Sequence, residues 1–150
     1  MAHLIDTSLL IRQADTRSSD RPVALEAIRR LFGHGQTLHT FPQNMTEFWA
    51  VATRPQASNG LGLTVTQTEA ERVRLEALFS LLPDPPGIYD QWVQLVNQFG
   101  VSGKPTHDAR IAATMLVHGI THILTFNVQD FRRFAPIGVI AVDPATVPSV

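Results

Sequence analysis

The chain contains no cysteine, one tyrosine and two tryptophans among its 150 residues. Without cysteine there can be no disulfide, no thiolate metal site and no thiol nucleophile, and a reducing compartment suits it. Charge of one sign is also missing. Lys and Arg number 12 against 13 Asp and Glu, for a formal net charge of -1. No global basic excess announces nucleic acid, so any such binding has to use a local patch. Nor does any apolar run approach the ~20 residues of a membrane span. The first residues lack the basic stretch and apolar core of a signal sequence. These absences lead us to expect a cytoplasmic protein that does not enter a membrane.

What is present is the composition of a globular domain. Hydrophobic residues make up 44% and charged residues 17%. A chain of this length fits one domain with a sizeable core. Five short apolar runs read as strands: His3–Ile5, Thr37–Phe41, Leu78–Leu82, His122–Phe126 and Gly138–Val142. Between them lie helical patterns over Arg21–Phe32, Asn44–Thr53, Thr66–Ala77, Pro86–Phe99 and Thr106–His118. Asp20 is placed to cap the first of these, and Thr66-Gln67-Thr68-Glu69 reads as a capping box. Gly33 and Gly119 are placed to stop the first and last helices. Arg54–Leu63, with Pro55, Gly60 and Gly62, reads as a flexible loop, and Asp143–Val150 as a surface tail. Strands alternating with helices predict a three-layer α/β/α domain over residues 1–150, with a parallel sheet of about five strands.

In such a sheet ligands bind outside the carboxyl ends of the strands. Asp6 stands where the first strand stops, between the apolar residues His3–Ile5 and Leu9–Ile11. Glu47 follows the second strand, beside Phe48 and Trp49. Asp108 lies in the first turn of the helix before the fourth strand, and Asp130 lies just after that strand. Each alone has an ordinary explanation: a helix cap, a charge suited to the helix dipole, a turn residue, a solvated face. Four acids at one edge repel one another unless a cation sits among them. Oxygen-only ligands suit Mg²⁺ or Mn²⁺.

The stretches "IDTSLLI", "NMTEFWAVATRP", "NGLGLT", "VSGKPTHDARIAATMLVHGITHILTFNVQDF" and "VIAVDP" occur in this order. By their order and spacing, over nearly the whole chain, the sequence resembles PIN-domain ribonucleases. It is most similar to the VapC-type toxins of prokaryotic toxin–antitoxin pairs. The resemblance implies strand order 3-2-1-4-5 and an acidic catalytic quartet of Asp6, Glu47, Asp108 and Asp130. Within it Asp6, Asp108 and Asp130 are the metal ligands. Ser8, Thr125 and Asn127 match supporting polar positions. Many relatives carry an acid nearer to Asn127, so either Asn127 or Asp130 stands closer to the metal. The implied activity is Mg²⁺- or Mn²⁺-dependent cleavage of single-stranded RNA. The implied partners are a small cognate antitoxin and a second copy of the chain. Leu61, Leu63 and Val65 are interface or core in that reading.

Basic residues near the motifs suit phosphate contacts, with Lys104 and Arg110 beside Asp108 the main candidates and Arg12, Arg54, Arg132 and Arg133 others. The six histidines do not form a convincing zinc set, since Gly119 interrupts the helix between His118 and His122. "NGLGLT" lacks the Lys-Ser/Thr ending of a P-loop. Trp49 and Trp92 read as core residues, and no stacking platform for bases is evident. Two rival functions stay open: a phosphatase-like hydrolase with Asp6 as nucleophile, and a non-catalytic RNA-binding module of the same fold.

Overall fold

Leu4 and Ile5 point to opposite faces of a strand and both are fully buried, which places their strand inside the sheet. The computed structural model describes residues 1–150. Its first strand, β1 (Ala2–Ile5), is followed by α1 (Thr7–Ala14), α2 (Arg21–Gly33), β2 (Thr37–Thr40), α3 (Pro42–Thr53) and α4 (Val65–Leu78). Then come β3 (Ser80–Leu81), α5 (Ile88–Gln98), α6 (Thr106–His118), β4 (His122–Leu124), α7 (Val128–Phe131) and β5 (Ile140–Val142). All pairings are parallel, and the strand order is β3-β2-β1-β4-β5. Leu4 pairs with Ile123, and Ile5 with Leu124.

This register sorts the side chains into two cores. Ile5, Leu38 and Leu124 meet Leu9, Leu10, Ile28, Phe48 and Leu75 of α1 to α4 on one face. Leu4 and Ile123 meet Leu95, Ile111, Met115 and Phe134 on the other. Helices thus cover both faces, giving the three-layer α/β/α arrangement expected from the alternation of strands and helices.

Several elements differ from the sequence reading. Leu9–Ile11 belongs to a helix, α1, of only two turns. It starts one residue after β1 ends and buries Leu9, Leu10 and Gln13. Gln13 is tolerated there because its Nε2 donates to Leu10 O at 2.8 Å and to Glu71 Oε1 at 3.0 Å, while its Oε1 accepts from Arg74. Asp20 does not cap α2; its carboxylate pairs with Arg12 at 3.4 Å. The capping box of α4 lies two residues earlier than predicted. The Gln67 N–H donates to Thr64 Oγ1 at 3.0 Å, and the Thr64 N–H to Gln67 Oε1 at 2.9 Å. Consequently α4 runs through Leu78, and β3 keeps only two residues of the apolar run.

The segment expected to be a flexible loop is fastened to the end of α3. The N–H groups of Leu61, Gly62 and Leu63 donate to the carbonyls of Val51, Arg54 and Ala52 at 2.9–3.0 Å. Leu61 and Leu63 pack with the first core, which leaves Val65 of this stretch facing outward. The tail runs along the surface, as expected, but it is fastened to the domain. Val147 is buried, and its carbonyl accepts from Arg30 Nη1 at 2.8 Å. No helix is long and apolar enough to cross a membrane.

Candidate active site

The ladder runs one residue past each central strand. The Asp6 N–H donates to Leu124 O at 3.1 Å, and the Thr125 N–H to Val142 O at 3.0 Å. Asp6 and Thr125 therefore stand side by side at the carboxyl edge of β1 and β4. Thr125 Oγ1 donates to Asp6 Oδ2 at 2.8 Å, and Ser8 Oγ donates to the same oxygen at 2.8 Å. Each hydroxyl is fixed in turn by a backbone N–H. Phe126 N donates to Ser8 Oγ at 3.1 Å and Asn127 N to Thr125 Oγ1 at 2.9 Å. Ser8 thus holds Asp6 rather than capping α1. Asp6 itself occupies the N-cap position without using its side chain as a cap. Burial pushes the Asp6 carboxyl above its ordinary range, and the Thr125 and Ser8 hydroxyls pull it partly back.

Glu47 projects from α3, two turns from the end of β2. Burial is the main force raising it to about 7, and the Asp6 charge adds to this; Gln43 and Arg110 act the other way. Asp108, in the first turn of α6, also stands at about 7. Burial again leads, followed by the charges of Asp130, Asp6 and Glu47, with His107 opposing. Four acids from four separate elements therefore act on one another through space. Asp130 is the exposed member, on α7, and Asn127 is exposed at the start of that helix.

The predicted basic contacts divide. Arg110 Nη1 donates to Gln43 Oε1 at 2.9 Å, and its Nη2 pairs with Asp84 at 3.4 Å, which sets the guanidinium beside Glu47. Lys104 is exposed in the turn before α6. The histidines form no shared site: His118 bonds to Pro83 O, while the His122 ring lies against His3 and bonds to Thr121.

Two amides escaped the sequence reading. Asn44 is fully buried, accepts from the Phe41 N–H at 3.0 Å and donates to Thr7 Oγ1 at 3.2 Å. It ties the start of α3 to the start of α1, next to Asp6. Gln43 Nε2 reaches Glu47 at 3.4 Å and the His107 carbonyl at 2.9 Å, joining α3 to α6. Their signal was the "PQNMTE" stretch around Glu47, but no local rule marks an amide whose partners lie on another element.

The donor set fits a hard divalent cation: carboxylates raised chiefly by burial and, for Glu47 and Asp108, further by their acidic neighbours, with hydroxyls beside them. No three His, Asp or Glu side chains cage an ion by themselves. Mg²⁺ needs no such cage, since it is held by one or two carboxylates and keeps its waters. Two hollows are lined by residues of, or next to, the acidic group. The larger, of about 670 Å³, starts at Asn127 and Asp130 and runs past Arg132 to Asp143 and Thr146. The other, of about 350 Å³, borders His107 and Arg110 on either side of Asp108.

Residues 3–136 match the PIN domain family, and the chain belongs to it. Among curated proteins none matches the sequence significantly. Solved structures with the same fold include VapBC2 from Rickettsia felis, bound to a DNA fragment of its promoter. It has 14% identity, a TM-score of 0.67, and 95% of this chain and 98% of that one covered. VapC20 of Mycobacterium tuberculosis, a toxin that cleaves the sarcin-ricin loop, is 17% identical with a TM-score of 0.66 over 97% and 99% of the two chains. A toxin–antitoxin complex from Klebsiella pneumoniae is 20% identical with a TM-score of 0.64 over 99% of each chain.

Proposed function

We propose that this chain is a metal-dependent endoribonuclease acting on single-stranded RNA, and the toxin of a toxin–antitoxin pair. The observation that carries the reading is the group of acids at the sheet edge. Asp6 is held by two hydroxyls, while Glu47 and Asp108 are raised to about 7 by burial and by their acidic neighbours. Structural ion pairs do the opposite: they lower carboxyl groups. Acids held in this costly arrangement mark a site that receives positive charge. The PIN fold and its likeness to VapC-type toxins supply the substrate class.

Asp6, Asp108 and Asp130 would hold Mg²⁺ or Mn²⁺, in part through the ion's own waters, and the ion when bound would make water a stronger nucleophile and draw charge from a phosphoryl oxygen. The chain's own residues do the rest. Ser8 and Thr125 orient Asp6, leaving its other oxygen free of hydroxyl donors. Glu47, in the acidic group but not among the residues that would hold the ion, is placed to take a proton from the attacking water. Gln43 keeps Glu47 and Arg110 in one frame, and Arg110 and Lys104 suit contacts to substrate phosphates. In this reading the enzyme works in the cytoplasm, forms a homodimer, and is controlled by a small antitoxin that brings an Arg or Lys toward the acids. The test is cleavage of a labelled single-stranded RNA by purified protein. Mg²⁺ or Mn²⁺ should support cutting and a chelator should stop it; undiminished cutting in excess chelator would overturn the proposal.

A further inference from the structure

Tyr89 is 71% exposed at the start of α5, a position that neither core explains. It is one wall of the 350 Å³ hollow, which Ile88, Trp92, Thr106, His107 and Arg110 complete. Trp92 is fixed there. Its indole N–H donates to Thr106 O at 2.9 Å, and its ring packs against the second core. The two rings lie 6.0 Å apart and tilted by 38°. They are too close and too inclined to sandwich a third ring, so they form a bent apolar floor open to solvent. The hollow is also lined by the exposed His107 and by Arg110, whose guanidinium is held by Gln43 and Asp84. An exposed aromatic face with a polar group at its rim is the chemistry that receives a nucleobase: the ring face stacks and the rim meets the base edge.

Position points the same way. Asp108 lies between His107 and Arg110, so the rim of the hollow and the acid site share one turn of α6. The other hollow begins at Asp130 and Asn127. A strand laid over the acids therefore has the aromatic recess beside the turn that carries Asp108 and a second recess at Asp130. We infer that this hollow is a nucleobase subsite, in which Tyr89, backed by Trp92, stacks an unpaired base of the RNA strand next to the cleaved linkage while His107 at the rim faces its edge. This rests on the nuclease reading above. It makes Tyr89 a substrate-binding residue outside the acidic group, and gives the exposed aromatic pair a purpose that a surface without a ligand lacks.

The probe is a short single-stranded oligoribonucleotide carrying 2-aminopurine at successive positions, bound to the Asp6→Asn protein in Mg²⁺ so that it is not consumed. One labelled position should be quenched on binding. Tyr89→Ala in the same background should abolish that quench and weaken binding by about tenfold, the worth of one stacked base. Tyr89→Phe should restore both. Tyr89 is chosen because its exposure makes loss of folding no explanation, whereas Trp92 helps to hold α5 in place. Equal affinity and quench in Tyr89→Ala, or no binding of the probe, overturns the subsite. So does a sedimentation result in which Tyr89→Ala splits a dimer while leaving RNA affinity unchanged, because the floor is then an interface between copies. Cleavage by the wild-type protein, with and without chelator, is scored separately. Failure there with Tyr89-dependent binding intact overturns the nuclease reading and leaves the base site standing.

Discussion

Thr125 Oγ1 donates to Asp6 Oδ2 at 2.8 Å, joining residues 119 positions apart in the chain. The same hydroxyl accepts from the Asn127 N–H at 2.9 Å, so its proton is committed to the carboxylate. Thr125→Val keeps the shape and removes both bonds. Asp6 then keeps only the Ser8 hydroxyl as a side-chain donor and is held less firmly. RNA cleavage should fall roughly tenfold, as expected for losing a hydrogen bond to a charged group. Thr125→Ser should recover most of the rate. Circular dichroism and a melting curve check that the fold survives, and a Thr125→Val enzyme with unaltered turnover would show the hydroxyl to be structural only.

Asp6→Asn separates charge from shape. The amide oxygen can still accept from Ser8 and Thr125, while the buried negative charge is gone. In metal-free protein the melting temperature should hold or rise, because Glu47 and Asp108 are both pushed upward by the Asp6 charge. Cleavage should drop by at least ~100-fold if Asp6 binds the metal. A variant that cuts normally would return Asp6 to the simpler role of a residue at a helix start.

The parallel three-layer sheet and the strand-end placement of Asp6 were legible because apolar runs and helix patterns alternate along the chain, whereas the strand order came from the family resemblance. Asp6, Glu47, Asp108 and Asp130 were grouped by their places near the strand ends, and the resemblance to a family then gave them the role of a catalytic quartet. α1 stayed hidden because it has only two turns and begins one residue after β1, too short a span for a period to show. Gln43 and Asn44 were invisible for a different reason. Their partners, His107 and Thr7, lie 64 and 37 positions away, and no local rule reaches that far. The aromatic hollow shares that cause. Trp92 was read as core, and only the packing of α5 on α6 shows that its neighbour Tyr89 stands in solvent.

The hairpin-like return after α3 offers a test of local packing. A Cβ on Gly60 would lie 2.0 Å from the Arg54 carbonyl oxygen, inside any permitted contact, and backbone rather than a flexible side-chain end is what it meets. The turn that seats Leu61 in the core cannot close around it. Gly60→Ala should therefore cost about 2 kcal/mol, in the range of other overpacking changes, and lower the denaturation midpoint without altering the urea dependence. Gly35→Ala is a useful contrast, since a Cβ there meets nothing within 4 Å and the cost comes from its φ of +75° alone. A Gly60→Ala protein as stable as wild type would mean that the return can rearrange freely.

The acids should also make stability depend on pH in a direction opposite to that of most proteins. Glu47 and Asp108 move from ordinary values of 4.5 and 3.8 to about 7 on folding, chiefly through burial. The folded state then holds these protons more tightly than the unfolded state does. The stability they contribute is complete below the unfolded values and is lost as pH rises toward 7. His3 opposes this: burial and the nearby His122 lower it from 6.5 to about 4, so its contribution is lost as pH falls through that window. Two carboxyls, joined by Asp6 in the same direction, outweigh one imidazole. In chelator the melting temperature should fall from about pH 5 to about pH 8. Glu47→Gln should flatten that slope, because one of the strained carboxyls is removed and the charge on Asp108 is relieved. Mg²⁺ or Mn²⁺ should restore stability, and by more at higher pH, since a cation binds the deprotonated acids and neutralises their repulsion. Calorimetry over this range, with chelator and with metal, reads all three effects. A melting temperature in chelator that climbs with pH, together with a metal effect no larger at pH 8 than at pH 5, would show that these carboxyls neither crowd one another nor share an ion.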